Sequence, residues 1–441
     1  MSNKTRGALA LVAAGALTLT MAPQAFASLV DDDPAWNPTK VDMSTNVHRI
    51  ANNDRISTAI EASQYRTDWG KVELDNILRY NAPGTVWHNV PVLPSVATEA
   101  GVEVSLPVWP VPTQITATTY YKVTGRTVNV IVARSNDFSD ALAATPLADV
   151  LDAPVLINPT DKLDARVEAE IKRLKAKHGT DGIVVHLLGG TNALSHDVEN
   201  AIDKAIGAKK DSDNYTLRYQ GIDRYETAVN IALRTVIDYG VDSEADINNI
   251  NVYLTTGKNF PDALAAGAAA AQNDGVVLLT NDEKLDTRGF TDKFLIELND
   301  WVDDDPYGWD INTTENFAVG GQATRASIAN DIRIAKSFDG RDRYETATLT
   351  ATGTFKAPGK AGNPTHFAVV SGETYADALV ASAFIANADG PLLLSKPNAL
   401  SPVTAAYLEA NAENTDHVWT FGGPGAMALS VTDAIKKLLT F

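Results

Sequence analysis

The chain has 441 residues, a formal net charge of −18 at pH 7 and no cysteine. Binding to nucleic acid depends on basic groups that displace counterions from phosphate, so a chain this acidic is not expected to bind DNA or RNA. Without cysteine the chain can form neither disulfides nor zinc–thiolate sites, and its stability has to come from sizeable hydrophobic cores.

Residues 1–27 have the pattern of a secretory signal peptide. A basic start is followed by an apolar stretch from Ala8 to Met21, and residues 25–27 form a small-x-small cleavage site. We therefore predict an exported protein whose mature chain begins near Ser28. No later stretch approaches the roughly 20 apolar residues that a membrane-spanning helix needs, so we predict no membrane insertion after cleavage.

Three sequence blocks recur in the same order three times, which indicates three tandem copies of one unit. The first block is an Asp-Arg pair, the second an aromatic residue two positions before Asp-Ala-Leu, and the third a Gly-Gly pair after an apolar run. The first block starts at Asp54, Asp223 and Asp342, the second at Phe138, Phe260 and Tyr375, and the third at Gly189, Gly320 and Gly422.

Each copy predicts strands that alternate with helices. One apolar run precedes the second block, another follows its helix, and a third ends at the Gly-Gly pair. The runs are 128–132, 155–157 and 183–188 in copy one, 252–256, 276–279 and 317–319 in copy two, and 367–370, 392–394 and 418–421 in copy three. Strands that are apolar throughout imply parallel sheets covered by helices on both faces. The predicted fold is therefore α/β, with three tandem doubly wound units.

Acidic residues at the helix starts are predicted to cap the helices. Asp223 and Asp342 are followed three residues later by Glu226 and Glu345, which is the spacing of a capping box. Copy one keeps the cap as Asp54 but has Ser57 in place of the glutamate. In the second block the predicted N-caps are Asp137, Asn259 and Thr374. The acidic residues three positions later are also assigned a structural capping role; these residues are Asp140, Asp262 and Asp377.

Copy one carries an insertion at about residues 70–123 that is rich in proline. Its apolar runs at 86–92 and 115–123 predict short strands. It also contains several aromatic residues, namely Trp69, Trp87, Trp109, Tyr120 and Tyr121. These side chains either fill a small core against the first unit or stack on a sugar or a partner surface, and the sequence leaves both alternatives open.

Enzymatic signatures are absent from the sequence. It contains no G-x-S-x-G, no H-E-x-x-H, no P-loop and no G-x-G-x-x-G, and its seven histidines have no metal-ligand spacing. The helix starts that could hold a nucleotide phosphate carry Asp140, Asp262 and Asp377 instead, and a carboxylate competes with an anion for such a position. We therefore predict a protein that is not an enzyme and that binds no cofactor or metal.

An arginine in the first helical turn of every copy calls for an explanation. Arg55, Arg224 and Arg343 oppose the helix dipole at a cost of about 0.3–1 kcal/mol each, so a compensating partner is expected. One alternative is an ion pair with the aspartate at the next helix start of the same copy. The other is contact with an anionic ligand at three repeated positions. Capping and pairing are the commoner reasons for charge at a helix start, which favours the ion pair.

These blocks resemble the cell wall binding repeat type 2 family, whose units show D-R-Y-E-T-A, F-x-D-A-L, P-L-L-L and a terminal Gly-Gly. Copy three matches best, with 342–347 as D-R-Y-E-T-A and 391–394 as P-L-L-L, whereas copy one has Ile56 and Ser57 instead of Tyr and Glu. The resemblance implies repeats at 46–207, 214–334 and 335–441, packed about a pseudo-threefold axis.

The resemblance also implies a function. Members of the family attach exported proteins non-covalently to the wall of Gram-positive bacteria through an anionic wall polymer or polysaccharide. The expected location is the cell wall or cell surface, and the candidate polymer contacts are Arg55, Arg224 and Arg343.

Two other functions stay open. A wall hydrolase or amidase would need catalytic groups in the insertion, whose ionisable residues show no recognisable pattern; they are Glu73, Asp75, His88, Glu99 and Glu103. A structural surface-layer subunit is the other alternative. The identity of the polymer and the oligomeric state cannot be read from the sequence.

Overall fold

The computed structural model describes residues 46–65, 71–73, 77–81, 87–91, 119–121, 126–177, 182–209, 214–242, 249–303, 313–355 and 364–439. The predicted signal peptide lies outside these residues. In this part of the chain, no helix combines the length and the apolar character needed to cross a membrane.

The described residues form strands alternating with helices, as the apolar runs predict. The first part of the chain contains β1 (Val47–Ile50), α1 (Arg55–Tyr65), β2 (Lys71–Glu73), β3 (Ile77–Asn81), β4 (Trp87–Pro91), β5 (Thr119–Tyr121), β6 (Arg126–Arg134), α2 (Ala144–Val150), β7 (Val155–Asn158), α3 (Ala165–Lys177), β8 (Ile183–Leu188), α4 (His196–Ile206) and β9 (Asn214–Tyr219).

The rest of the chain repeats this alternation twice. The second part contains α5 (Arg224–Asp242), β10 (Asn249–Thr256), α6 (Pro261–Gln272), β11 (Gly275–Thr280), α7 (Phe290–Asp303), β12 (Thr313–Val319), α8 (Gly321–Ala329) and β13 (Lys336–Phe338). The third contains α9 (Arg343–Thr354), β14 (His366–Ser371), α10 (Tyr375–Ala386), β15 (Leu392–Ser395), α11 (Pro402–Ala410), a 3₁₀ turn (Ala412–Asn414), β16 (His417–Phe421) and α12 (Leu429–Leu439).

Three parallel sheets of one topology are the framework of the three units. Their strand orders are β7-β6-β8-β9 in unit one, β11-β10-β12-β13 in unit two and β15-β14-β16-β1 in unit three. With right-handed crossovers, this order places helices on both faces of each sheet. The prediction of three doubly wound parallel-sheet units is therefore confirmed.

The fourth strand of every sheet lies just before the first helix of the next unit. Residues 214–219 and 336–338 complete the sheets of units one and two, although the predicted repeats placed them in the following copy. The fourth strand of unit three comes from the other end of the chain, because Val47–Ile50 pair in parallel with Val418–Phe421. The sheets therefore extend past the predicted repeat boundaries at 214 and 335, and the pairing of β1 with β16 closes the three units into a ring.

The second helix of each unit, α2, α6 or α10, lies at the pseudo-threefold axis. These helices contact one another through small residues: Thr145 Oγ1 lies 2.9 Å from Ser382 Oγ, and a Cβ atom on Gly267 would lie 2.8 Å from the Thr145 Cβ. Ser382 Oγ donates a hydrogen bond of 2.8 Å to the Leu264 carbonyl. Glycine in α6 therefore allows the close approach of the three helices.

The described residues of the insertion in unit one all lie in strands, in agreement with the prediction of a β-rich segment. β3 pairs in antiparallel fashion with β4 and β5, and β2 pairs with the beginning of β6. The strands 87–91 and 119–121 fall within the predicted runs, whereas 71–73 and 77–81 were not predicted. Trp69 and Trp109 lie outside the described residues.

Candidate functional site

The three sequence blocks meet at the carboxyl ends of the strands. The first block follows the fourth strand of a sheet, the second follows the first strand, and the third follows the third strand. Carboxyl ends of parallel strands share one edge of a sheet, and ligands of open α/β sheets bind there. The blocks therefore form three junctions: the first between units one and two, the second between units two and three, and the third between units three and one.

The first helix of unit three begins with a variant of the capping box, in which the glutamate binds the N–H group of the residue before the N-cap. Asp342 Oδ1 accepts hydrogen bonds from the backbone N–H groups of Tyr344 and Glu345, at 3.0 and 2.9 Å. Glu345 Oε2 accepts in return from the Arg341 N–H at 2.6 Å. The equivalent contacts in unit two join Asp223 to Tyr225 and Glu226, and Glu226 to Ile222.

Unit one has a different helix start because Ser57 replaces the glutamate. Asp54 Oδ1 still accepts from the Ser57 N–H at 2.8 Å. Arg166, from α3, donates to Asp54 Oδ2 at 2.8 Å and to Ser57 Oγ at 2.7 Å. Burial alone would raise the pKa of Asp54, but the hydrogen bonds from Ser57 and Arg166 outweigh it and lower that pKa. No repeated motif marks Arg166, so the sequence comparison missed it.

The repeated arginines bind backbone carbonyls. Nη1 of each arginine donates to the carbonyl of the residue that directly follows the first strand of its own unit. Because the strand has ended there, the arginine supplies a hydrogen bond that a buried carbonyl needs. The partners are Ser135 for Arg55 at 2.7 Å, Gly257 for Arg224, and Gly372 for Arg343 at 2.5 Å. These carbonyls, rather than the aspartates of the same unit, supply the compensating partner that the helix dipole requires.

The aspartate of the second block packs against the first glycine of the third block. A Cβ atom on Gly189, Gly320 or Gly422 would lie less than 3 Å from Oδ2 of Asp140, Asp262 or Asp377 respectively. These glycines also have φ angles of 90°, 89° and 99°, which disfavour any residue with a side chain. The contact explains why the two blocks occur together in every copy.

Each of these aspartates faces the first helix of the next unit. Asp140 Oδ1 accepts a hydrogen bond of 3.3 Å from Thr227 Oγ1 and is attracted by Arg224. Asp262 is attracted by Arg343 and Asp377 by Arg55 in the same way. The electrostatic attraction between these aspartates and the repeated arginines therefore acts across the junctions. The predicted ion pair within one copy is wrong.

The predicted capping role of these aspartates also needs correction. The N-cap residues of the second helices are Ala143, Phe260 and Thr374, so the predicted N-cap position is right for Thr374 and wrong for Asp137 and Asn259. None of the three makes a side-chain capping hydrogen bond. The carboxylates of Asp140, Asp262 and Asp377 lie near the same helix starts but are directed to the glycine contact and the neighbouring unit.

Burial raises the pKa of all three junction carboxyl groups. The pKa of Asp262 rises to about 6, because burial dominates, Arg343 alone counteracts it, and the nearby Asp339 adds to it. Asp140 and Asp377 are each attracted by two arginines, which limits the rise. Asp262 is only 8% exposed and its Oδ1 has no hydrogen-bond partner in the described structure. Buried carboxylates of this kind cluster at functional sites.

The aromatic residues of the second block meet at the pseudo-threefold axis. The ring centroids of Phe138, Phe260 and Tyr375 lie 5.9, 6.1 and 6.4 Å apart in pairs. The Arg224 guanidinium carbon lies 5.8 Å from the centroid of the Phe138 ring, in cation–π geometry. The half-buried rings therefore link the three junctions at the axis.

A threonine repeated in every copy was overlooked at the sequence level. Oγ1 of Thr58, Thr227 or Thr346 accepts from the N–H of Asn52, Gly221 or Gly340, at 3.1, 3.0 and 3.2 Å. Its identical position in each first block was the signal that could have revealed it. Among the described residues, no group of three or more potential ligands is placed to hold a metal ion.

The raised pKa of Asp262 predicts a gain in stability on its replacement. A carboxyl group whose pKa is higher in the folded than in the unfolded chain destabilises the folded state when it is ionised, that is, above its folded pKa. This destabilisation disappears as the pH falls towards 4, because the group is then protonated in the folded chain and increasingly also in the unfolded chain. At about 1.4 kcal/mol per pKa unit, we expect Asp262→Asn to raise the free energy of unfolding at pH 8 by about 1–3 kcal/mol.

Urea unfolding at pH 8 and at pH 4 measures this effect. Asp140→Asn is the matched control, and we expect a smaller gain because Thr227 and two arginines stabilise the Asp140 carboxylate. Equal stability of the wild type and Asp262→Asn at pH 8 would contradict the assignment.

The chain is similar in sequence to two proteins of Bacillus subtilis (strain 168). It is 28% identical over 298 residues to the amidase enhancer, covering 67% of this chain and 34% of that protein. It is 25% identical over 309 residues to N-acetylmuramoyl-L-alanine amidase LytC, covering 70% of this chain and 53% of that protein. The chain thus spans only part of the length of these relatives.

The fold is similar to those of Cwp8 and Cwp6 from Clostridium difficile, with TM-scores of 0.59 and 0.58 at 19% and 18% identity. The likeness covers 89% and 90% of this chain, and 52% and 48% of those chains. The pattern of cell wall binding domain 2 matches residues 49–199, 218–327 and 338–432, one match for each unit. The chain therefore belongs to the cell wall binding domain 2 family.

Proposed function

We propose that this protein attaches non-covalently to the bacterial cell wall and that its ligand is an anionic wall polymer. The observation that carries the proposal is the recurrence of one arginine at each of three equivalent junctions. Arg55 and Arg343 are exposed and Arg224 is half-buried, although each gives one N–H group to a carbonyl. Guanidinium groups retain further donors for phosphate or carboxylate oxygens.

The overall charge makes local cationic sites necessary. With a net charge of −18, the protein as a whole repels an anionic polymer, so binding depends on places where arginines are concentrated. The third junction brings Arg55 and Arg49 near Asp377, and the first brings Arg224 and Arg134 near Asp140. The junctions are therefore the places where attraction can exceed the general repulsion.

Three sites in one ring of packed units favour joint binding of a polymer. A polymer held at one junction presents its next anionic groups to the others at high effective concentration, so weak sites reinforce one another. This fits the proposal that the protein is exported by its signal peptide and resides at the wall or surface of a Gram-positive bacterium. The similarity to two Bacillus subtilis proteins named for amidase functions supports a wall location.

The Arg55→Gln, Arg224→Gln and Arg343→Gln triple variant tests the role of the junctions. We expect it to reduce co-sedimentation of residues 28–441 with purified walls at least about tenfold, because three charge-assisted contacts of about 1.5–3 kcal/mol are lost. Walls stripped of anionic polymer should sediment little of the wild-type protein.

Two matched triple variants separate the possible causes. Replacing all three arginines by lysine keeps the charge, and we expect it to retain more binding than the glutamine variant. Replacing the exposed Lys204, Lys336 and Lys437 by glutamine removes the same charge, one from each unit, at last helical turns or beside one rather than at the helix starts of the junctions. If this lysine variant lost as much binding as the arginine variant, net charge rather than the junctions would explain attachment.

We further propose that the protein has no enzymatic activity of its own. The similarity covers 53% of the length of LytC. In this chain, the three matches to the cell wall binding domain account for most of the residues. The amidase named in that relative is therefore not carried over to this chain. We expect no clearing zone when the pure protein is run in a gel containing peptidoglycan, with lysozyme as the positive control. A clearing zone at the position of this protein would contradict the proposal.

A further inference from the structure

Three histidines lie side by side where the ring closes. His48 is on β1, His417 on β16 and His366 on β14, near the beginning of three adjacent strands of the third sheet. His48 Nε2 lies 2.9 Å from His417 Nδ1, and the ring centroids of His366 and His417 are 5.6 Å apart. Trp419 stacks on His366, with centroids 5.4 Å apart and planes inclined by 11°.

The contact between His48 and His417 accommodates only a limited number of protons. One ring nitrogen must donate and the other must accept, so the pair holds together when neutral or with one added proton. With two added protons, both facing nitrogens become donors and both rings become cations. His48 is only 3% exposed, so water cannot compensate that repulsion.

The surroundings of the cluster oppose its protonation. Burial lowers the pKa of His366, assisted by His417, and burial also lowers the pKa of His417. Two carboxylates partly offset this: Asp416 acts on both histidines and Asp389 on His366. Tyr65 from α1 faces His48 edge-on and stays neutral, because burial raises its pKa to about 12.

We propose that this histidine cluster is a pH-sensitive latch on the N-terminal strand: it holds β1 on the third sheet near neutral pH and releases it in mild acid. Histidines freed by the detachment of β1 take up protons below their ordinary pKa of about 6.5. Proton uptake on opening means that acid favours the open form. The stability of the closed form is thus complete above pH 6.5 and declines as the pH falls below it.

The latch controls more than one strand. Within β1, Arg49 donates to the Gly422 carbonyl at 2.7 Å and to Thr432 Oγ1 at 2.9 Å, and β1 leads directly into α1 with Arg55. Detachment of β1 therefore dismantles the third junction. Release from the wall in acid is a consequence that rests on the proposed function, whereas the latch itself does not.

Hydrogen exchange of residues 28–441 at pH 7.5, 6.5 and 5.5, corrected for intrinsic exchange rates, tests the latch. We expect the opening constant of the β1 amides to rise more than about fivefold between pH 6.5 and 5.5. Fivefold is about the most that one histidine with an ordinary pKa of about 6.5 provides. β13 is the internal control, because it occupies the same place in unit two and no histidine lies on β10, β12 or β13.

Two variants test whether the histidine cluster causes this rise in the opening constant of β1. The His366→Gln and His417→Gln double variant keeps hydrogen-bonding groups but leaves one titrating ring, so we expect a rise of about fivefold or less. His196→Gln, at an exposed position on α4, should respond like the wild type.

Three results would overturn the latch: a wild-type rise of fivefold or less at β1, an equal rise at β13, or an undiminished rise in the double variant. If the double variant does not fold, the wild-type comparison of β1 with β13 still decides. Wall co-sedimentation at pH 7.5 tests the proposed function separately.

Discussion

The fourth strand of every sheet is supplied by the segment that leads into the next unit, and the rest of the structure depends on this constraint. A short edge strand protects the longer apolar strand beside it from pairing with other chains, and β1 and β13 have only four and three residues. Tyr219, Phe338 and Ile50 each end such a fourth strand, and their carbonyls accept from the N–H groups of Gly189, Gly320 and Gly422. The last of these contacts joins the two ends of the described chain and closes the ring.

The same constraint explains the composition of the candidate site. Because the fourth strand continues into the first helix of the next unit, that helix start is held against the second helix of the preceding unit. Asp140, Asp262 and Asp377 therefore each face an arginine of the following unit, and Asp140 also accepts a hydrogen bond from Thr227 of that unit. Every junction is built jointly, so no unit contains a complete site.

Much of the fold could be predicted from the sequence. The uninterrupted apolar runs predicted parallel strands, and the spacing of Asp342 and Glu345 predicted the cap that the structure shows. The repeats could not tell a contact within one copy from a contact between neighbouring copies, because every copy contains both partners. For this reason the Asp–Arg relationship was assigned to the wrong pairs.

Other features left little or no signal in the sequence. β1 has only four residues and β13 only three, too short for periodicity to show, and the partners of β1 lie at the opposite end of the chain. Arg166 and the cluster of His48, His366 and His417 occur in single copies, so self-comparison could not mark them. Their roles depend on strand pairing and helix packing that only the folded chain provides.

Calorimetric unfolding of residues 28–441 tests most directly whether each unit depends on the fourth strand that leads into the next unit. If each unit depends on the next, the three repeats unfold in one transition, with calorimetric and van't Hoff enthalpies that agree. Truncation of Ile50, which is 1% exposed in the closing strand, should then lower the temperature of the whole transition. Separate transitions for the repeats, or an effect of Ile50→Ala confined to one of them, would contradict the account.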